Sequence, residues 1–252
     1  MSKDLLRLNG VCKRFGGVVA ADDVSFTIKP GMISGLIGPN GAGKSTMLNL
    51  ISGIYSVDSG EIFFDGQNVT NVPPYTRARM GIGRTFQTPR FLTRSNIRDN
   101  LLIGRDLGAK DGYFKSFFSR QGGDEKELEK YMSYLHFSFD PHDDMTSLTY
   151  GQQKMLEIVR SLLSHPKLML IDEPGAGLNN KEIEDIMALI NMAAREMNIG
   201  IALIEHSMDM IMNICEQVVV LNFGKVICVG TPEEVSSNRQ VIVAYLGEEA
   251  DE

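Results

Sequence analysis

Residues 38–46 read GPNGAGKST, a glycine-rich loop closing on Lys44 and Ser45 between an apolar run and a helical pattern. Glycine lets the backbone curl until successive N–H groups point inward, and a helix that starts there adds the positive end of its dipole. Such a segment suits phosphate. The pattern Gly38, Gly43, Lys44, Ser45 assigns Lys44 to the β- and γ-phosphates of a nucleotide and the Ser45 hydroxyl to Mg²⁺. Pro39, Asn40, Gly41, Ala42 and Thr46 complete the loop. Alone, the motif indicates a nucleoside-triphosphate binder and leaves kinase, GTPase and ATPase motor open.

A second set of residues carries acid and base chemistry. The apolar run 168–171 ends in Asp172-Glu173, which places two carboxylates at the carboxyl edge of a parallel sheet, where ligands bind. Asp172 would hold Mg²⁺, directly or through water, and Glu173 could polarise an attacking water as general base. The next strand pattern, 200–204, runs into Glu205-His206, and a histidine at that edge could contact the γ-phosphate or orient the water. A capping or surface role for His206 stays open on these grounds.

The elements that must position these groups follow from hydrophobic pattern. Short β-rich runs at 24–29, 33–37 and 61–64 end in turn signals, and a helical pattern over 46–52 precedes Gly53 as a stop. From about 88 to 154 the sequence turns charged and helix-compatible, interrupted at 119–124, where Gln-Gly-Gly suits no regular element. The stretch 106–124 reads as a solvated loop. Beyond it, helical patterns alternate with strands at 168–171 and 200–204, which predicts an α/β fold with a largely parallel sheet. Runs 218–221 and 226–229 around Asn222-Phe223-Gly224-Lys225 predict a hairpin, and Thr231-Pro232-Glu233-Glu234 opens a last helix with capping-box spacing.

Composition narrows the classes. A chain of 252 residues, 43% hydrophobic, can bury a sizeable core. With 25 basic residues against 32 acidic, a net charge of -7 disfavours unspecific binding to nucleic acid. Apolar runs are only a few residues long, far short of the ~18 needed to span a bilayer, and the first residues lack a secretory signal. The expected location is the cytoplasm. Cys12, Cys215 and Cys228 stand apart without CxxC pairing, so all three are read as packing.

Residues 148–154, LTYGQQK, resemble the LSGGQ signature of ATP-binding cassette (ABC) proteins. A hydroxyl, a glycine and a glutamine at the start of an amphipathic helix form a second anion-binding terminus. The resemblance covers nearly the whole chain: Phe15 looks like the adenine-stacking aromatic, Gln87 the glutamine-loop residue and Mg²⁺ contact, Asp172 and Glu173 the Walker B pair, His206 the switch histidine. Thr149, Gly151 and Gln152 would then meet the γ-phosphate held by another copy. More narrowly, RFGGVVAADDVSF at 14–26, GIGRTFQTPRFL at 81–92 and GTPEEV at 230–235 are similar to ATPase subunits of branched-chain amino acid importers. Two departures stand out from the general pattern: Tyr150 replaces the first signature glycine, and Asn179 replaces an acid that helps subunits communicate.

The resemblance implies an α/β P-loop NTPase core with an N-terminal antiparallel β subdomain and an inserted α-helical subdomain. It implies one nucleotide-binding domain over 1–252, with 1–87 and 155–252 as core and 88–154 as the helical insertion. The implied activity is ATP hydrolysis with Mg²⁺, catalysed with Glu173, His206 and Gln87. Implied partners are a second ATPase subunit, identical or not, two transmembrane permease subunits and, indirectly, a substrate-binding protein, at the cytoplasmic face of the membrane. A urea or amide importer, or a non-transport ATPase of cluster-assembly type, is the alternative. The segment 87–101 is the expected transmission surface, with Phe91 and Leu92 either docked on a permease or packed inside the helical subdomain.

Overall fold

A computed structural model describes residues 4–92, 94–108 and 123–246, with side chains described outside 104–126 and 246. Two sheets carry the chain. Strands β1 (Leu6–Phe15), β2 (Val18–Ile28), β4 (Ser59–Phe64) and β5 (Gln67–Asn68) form an antiparallel sheet ordered β2-β1-β4-β5. The other sheet has the order β10-β9-β3-β8-β7-β6, built from β3 (Ile33–Ile37), β6 (Ile82–Arg84), β7 (Leu168–Asp172), β8 (Gly200–Ile204), β9 (Gln217–Asn222) and β10 (Lys225–Gly230). All neighbours in it are parallel except the β9–β10 hairpin.

The helices among the described residues are α1 (Lys44–Ser52), α2 (Pro74–Met80), α3 (Ile97–Gly108), α4 (Gly123–Met132), α5 (Tyr150–Leu162), α6 (Asn180–Arg195), α7 (Met208–Ile214), α8 (Pro232–Ser236) and α9 (Arg239–Leu246). Strands β3, β7 and β8 are buried along their whole length, as expected for parallel strands covered on both faces. Their side chains alternate between two cores. Ile37, Met169, Ile171 and Leu203 face one core, shared with α5 and α6. Leu36, Leu170, Ala202 and Ile204 face the other, where α1 and the antiparallel sheet close over them.

The expected strands at 33–37, 61–64, 168–171 and 200–204, and the hairpin, lie where the patterns put them. The run read at 24–29 is the end of a longer strand that starts at Val18. The last helix is two, because α8 ends at Ser236 and α9 restarts at Arg239. Of the expected loop, residues 109–122 lie outside the described residues. Gly123 and Asp124 open α4 rather than a loop. No helix among the described residues is long and apolar enough to cross a membrane.

Candidate active site

Sheet order decides which side chains meet. Because β8 lies between β3 and β7, its end delivers Glu205 and His206 between the phosphate loop, which follows β3, and Asp172-Glu173, which end β7. Strand β6 on the far side of β7 leads into Gln87. Register completes the alignment: Asp172 pairs with Ile204, and Leu36 also pairs with Ile204 from the other side.

The phosphate loop curls tightly. Gly38, Gly41 and Gly43 have φ of 148°, 81° and 105°, the region that glycine adopts without strain. A Cβ at Gly38 would fall 2.0 Å from the Leu221 carbonyl oxygen, and one at Gly43 2.3 Å from that of Ala20. Only glycine fits at those two points. Lys44 is buried with its ammonium folded into the curl, where Nζ donates to the carbonyls of Gly38 at 2.7 Å and Pro39 at 3.1 Å. Burial lowers its pKa, opposed by the charges of Glu173 and Asp172. A desolvated cation whose bonds are to neutral carbonyls, inside a glycine-rich cradle, fits an anionic group such as a nucleotide's phosphates. Ser45 is exposed at the first turn of α1, and Phe15 is 42% exposed at the end of β1, edge-on to Tyr55 with ring centroids 5.1 Å apart. Lys13 Nζ lies over the ring at 5.4 Å from its centroid, and an exposed aromatic of this kind suits a planar base.

Glu173 is the hub. Its Oε2 accepts from Gln87 Nε2 at 2.9 Å, and its Oε1 lies 3.0 Å from His206 Nε2. Beside it, the Asp172 carboxyl is pushed up from its ordinary value by burial, an effect that Arg84 opposes and the Glu173 charge reinforces. The expected trio of Gln87, Glu173 and His206 is therefore assembled in one cluster. Water that reaches this edge, where the phosphate loop opens, would meet a carboxylate and an imidazole already paired with each other.

The signature residues are placed differently. Thr149 caps α5 through a reciprocal capping box with Gln152, so both side chains are engaged at the helix start. Gly151 is buried beneath Glu182, and a Cβ there would fall 2.4 Å from Glu182 Oε1. Tyr150 turns its hydroxyl to the Gln87 carbonyl at 3.1 Å, linking the signature to the glutamine loop. Asn179 caps α6 in a second reciprocal box with Glu182. An asparagine serves that cap as well as an acid would.

Two residues with a direct hold on the site went unread in the sequence. Lys154 Nζ donates to the Glu173 carbonyl at 2.6 Å, and Glu205 accepts from the Gly175 N–H at 2.7 Å. A signal existed for one of them: Lys154 stands four residues before Ile158, so it falls on the apolar face of α5, where a lysine needs a reason.

Comparison with known proteins agrees with this geometry. The family model described as ABC transporter matches residues 21–176, and one described as branched-chain amino acid ATP-binding cassette transporter matches 225–251. The chain is 35% identical to the high-affinity branched-chain amino acid transport ATP-binding protein BraF of Pseudomonas aeruginosa, over 98% of this chain and 100% of the relative. It is 37% identical to LivG of Escherichia coli, a protein of the same description, with the same coverage. The solved structure of a nucleotide-free ATP-binding cassette from an ABC transporter superposes with a TM-score of 0.83 at 31% identity, covering 98% of this chain and 100% of that one. Phosphate loop, paired acids, glutamine, histidine and signature helix thus sit in one fold with full-length relatives, and the chain belongs to the ABC transporter family as one of its ATP-hydrolysing cassettes.

Proposed function

We propose that this chain is the ATP-driven subunit of an importer for branched-chain amino acids, bound peripherally at the cytoplasmic face of the membrane. The observation that carries it is the Glu173 hub, a carboxylate held by Gln87 on one side and His206 on the other at the mouth of a phosphate cradle. In this reading the cradle 38–46 and Lys44 bind the phosphates, and Phe15 stacks on the base. Glu173 takes the proton of the attacking water, and His206 fixes the water and the γ-phosphate. Among the described residues no group of three His, Cys, Asp or Glu side chains could hold a metal ion. The Ser45 hydroxyl, the Gln87 amide oxygen and Asp172 fit a hard cation that takes its remaining ligands from phosphate and water, as Mg²⁺ does. Mg²⁺ would neutralise charge building on the phosphates.

The helix start at Thr149, Gly151 and Gln152 is a second anion site, met by the γ-phosphate of another cassette, so two chains close around two nucleotides. Closure would be passed to two permease subunits through the surface beside Gln87. We divide the chain accordingly into a core of 1–87 and 155–252 and a helical subdomain of 88–154. The relatives named for branched-chain amino acid transport, similar along the entire chain, support the substrate class. Reconstitution with its permease subunits and binding protein tests it: leucine, isoleucine or valine should stimulate ATP hydrolysis. Stimulation by urea or a short amide instead, with none by these amino acids, would reassign the importer.

A further inference from the structure

Two charged side chains are buried on either side of a single turn, residues 173–177. Lys154 is 3% exposed and Glu205 5%. Lys154 takes the turn's acceptors: its Nζ donates to the carbonyls of Glu173 at 2.6 Å, Ala176 at 3.0 Å and Pro174 at 3.4 Å. Glu205 takes a donor of the same turn and ties it to the histidine loop. Its Oε1 accepts from the Gly175 N–H at 2.7 Å, while Oε2 accepts from the N–H groups of His206 at 2.7 Å and Ser207 at 3.2 Å. A cation on carbonyls and an anion on N–H groups are charge-assisted pairings, the strongest that a backbone turn can be given.

The turn needs that support at its first residue. Glu173 has φ of 49°, a left-handed conformation that a residue with a side chain keeps only where its surroundings impose it. Both of its backbone polar groups are fixed, the N–H on the Ile204 carbonyl at 2.9 Å and the carbonyl on Lys154. Relaxation of either would swing the carboxylate away from Gln87 and His206. Lys154 lies one helical turn beyond Gly151 on α5, so any displacement of the signature end of that helix moves the ammonium that holds Glu173.

We propose that Lys154 and Glu205 are positioning residues that clamp the 173–177 turn and aim the Glu173 carboxylate, making that aim depend on where the signature helix sits. The inference rests on Glu173 acting as the base. Lys154→Met should therefore lower kcat by at least about tenfold while the affinity for an ATP analogue stays within about twofold. Lys154→Arg, which keeps charged donors, should restore most of the rate. In a Glu173→Gln background the same Lys154→Met change should cost less than about twofold, because a residue acting through Glu173 has nothing left to aim. Normal hydrolysis by folded Lys154→Met, or an equal fold-loss in both backgrounds, would overturn the clamp. If Lys154→Met does not fold, Glu205→Gln, which keeps the shape and removes the charge, carries the same cycle with the same expectations. The two readings fail separately: near-normal turnover by Glu173→Gln alone discards the base, whereas slow Glu173→Gln with normal Lys154→Met discards only the clamp.

Discussion

Lys44 and Glu173 divide binding from chemistry. Lys44 is already desolvated and bonded only to the Gly38 and Pro39 carbonyls, so turning it to a phosphate exchanges neutral partners for charged ones. Lys44→Ala should weaken ATP-analogue binding by at least about tenfold, read by equilibrium titration, with the fold retained. An unchanged affinity would remove this loop from the nucleotide site. Glu173→Gln keeps the side-chain shape and its contact with Gln87 but cannot take a proton. It should bind ATP normally and hydrolyse it about a hundredfold more slowly, measured as phosphate release in a single turnover. His206→Ala is its companion, because the imidazole touches the same carboxylate. If both variants turn over at the normal rate, the base lies elsewhere.

The signature helix α5 ties the parts of the site together along one side. Beyond Tyr150 and Lys154 it carries Glu157, 2% exposed, whose Oε2 accepts from the Phe86 N–H at 3.4 Å, next to Gln87. Arg160, on the same helix, donates to the Arg90 carbonyl at 2.6 Å and lies over the Phe91 ring. Burial pushes the Glu157 carboxyl up to about 7 from 4.5, against the opposing pull of Arg160, the loop N–H groups and Lys154. A pKa raised on folding means that the native state binds the proton more tightly than the unfolded chain does. The stability this supplies is complete below about pH 4.5 and is lost as pH rises through about 7. Over that window the loss is roughly 3 kcal/mol. Glu157→Gln, neutral throughout, should show a melting temperature that falls less than that of the parent chain between pH 5 and pH 7.5. Parallel pH profiles for the two proteins would refute the shift.

How much of this was legible in the sequence depends on the range over which each signal acts. The phosphate loop, the capping box at Thr231 and the strands that run into Asp172-Glu173 and Glu205-His206 are written in neighbouring residues, and the structure places these elements as read, whereas the capping box at Thr149 emerged only from the structure. The contacts of Gln87 and Tyr150 with their distant partners depend on sheet order, which no local pattern records. Glu205 was missed for the same reason, since its value lies in a turn contributed by another strand, whereas Lys154 stood out on the apolar face of α5 and only its partner was hidden. The full length of β2 was hidden by its bulged pairing with β1, where register shifts break the alternation that marks a strand.

At the scale of the whole molecule, nucleotide closure is useful only if it reaches the permease subunits, and one groove is suited to that task. Ser52, Ile54, Pro74, Ala78, Arg84, Arg160 and Ser164 line it from the proposed core, and Ile103 from the proposed helical subdomain, around a volume of about 330 Å³. Of the two residues first considered for docking, Phe91 packs against the main core beneath Arg160, while Leu92 is 55% exposed. Phe91 is thus partly buried against the core, and the exposed apolar side chains are Leu92 and, at the groove, Ile54 and Ile103, 47% and 40% exposed. A permease helix seated there would touch α1, α2, α5 and the Ile103 face of α3 together. Ile54→Glu should leave the melting temperature and basal ATPase of the isolated subunit within about twofold and a few degrees of the parent, since little burial is lost. In the assembled transporter the same carboxylate would have to be desolvated against an apolar partner, so transport and ligand-stimulated hydrolysis should fall by at least about tenfold. Unimpaired transport by Ile54→Glu would move the coupling surface away from this groove and leave Leu92 as the point from which to search.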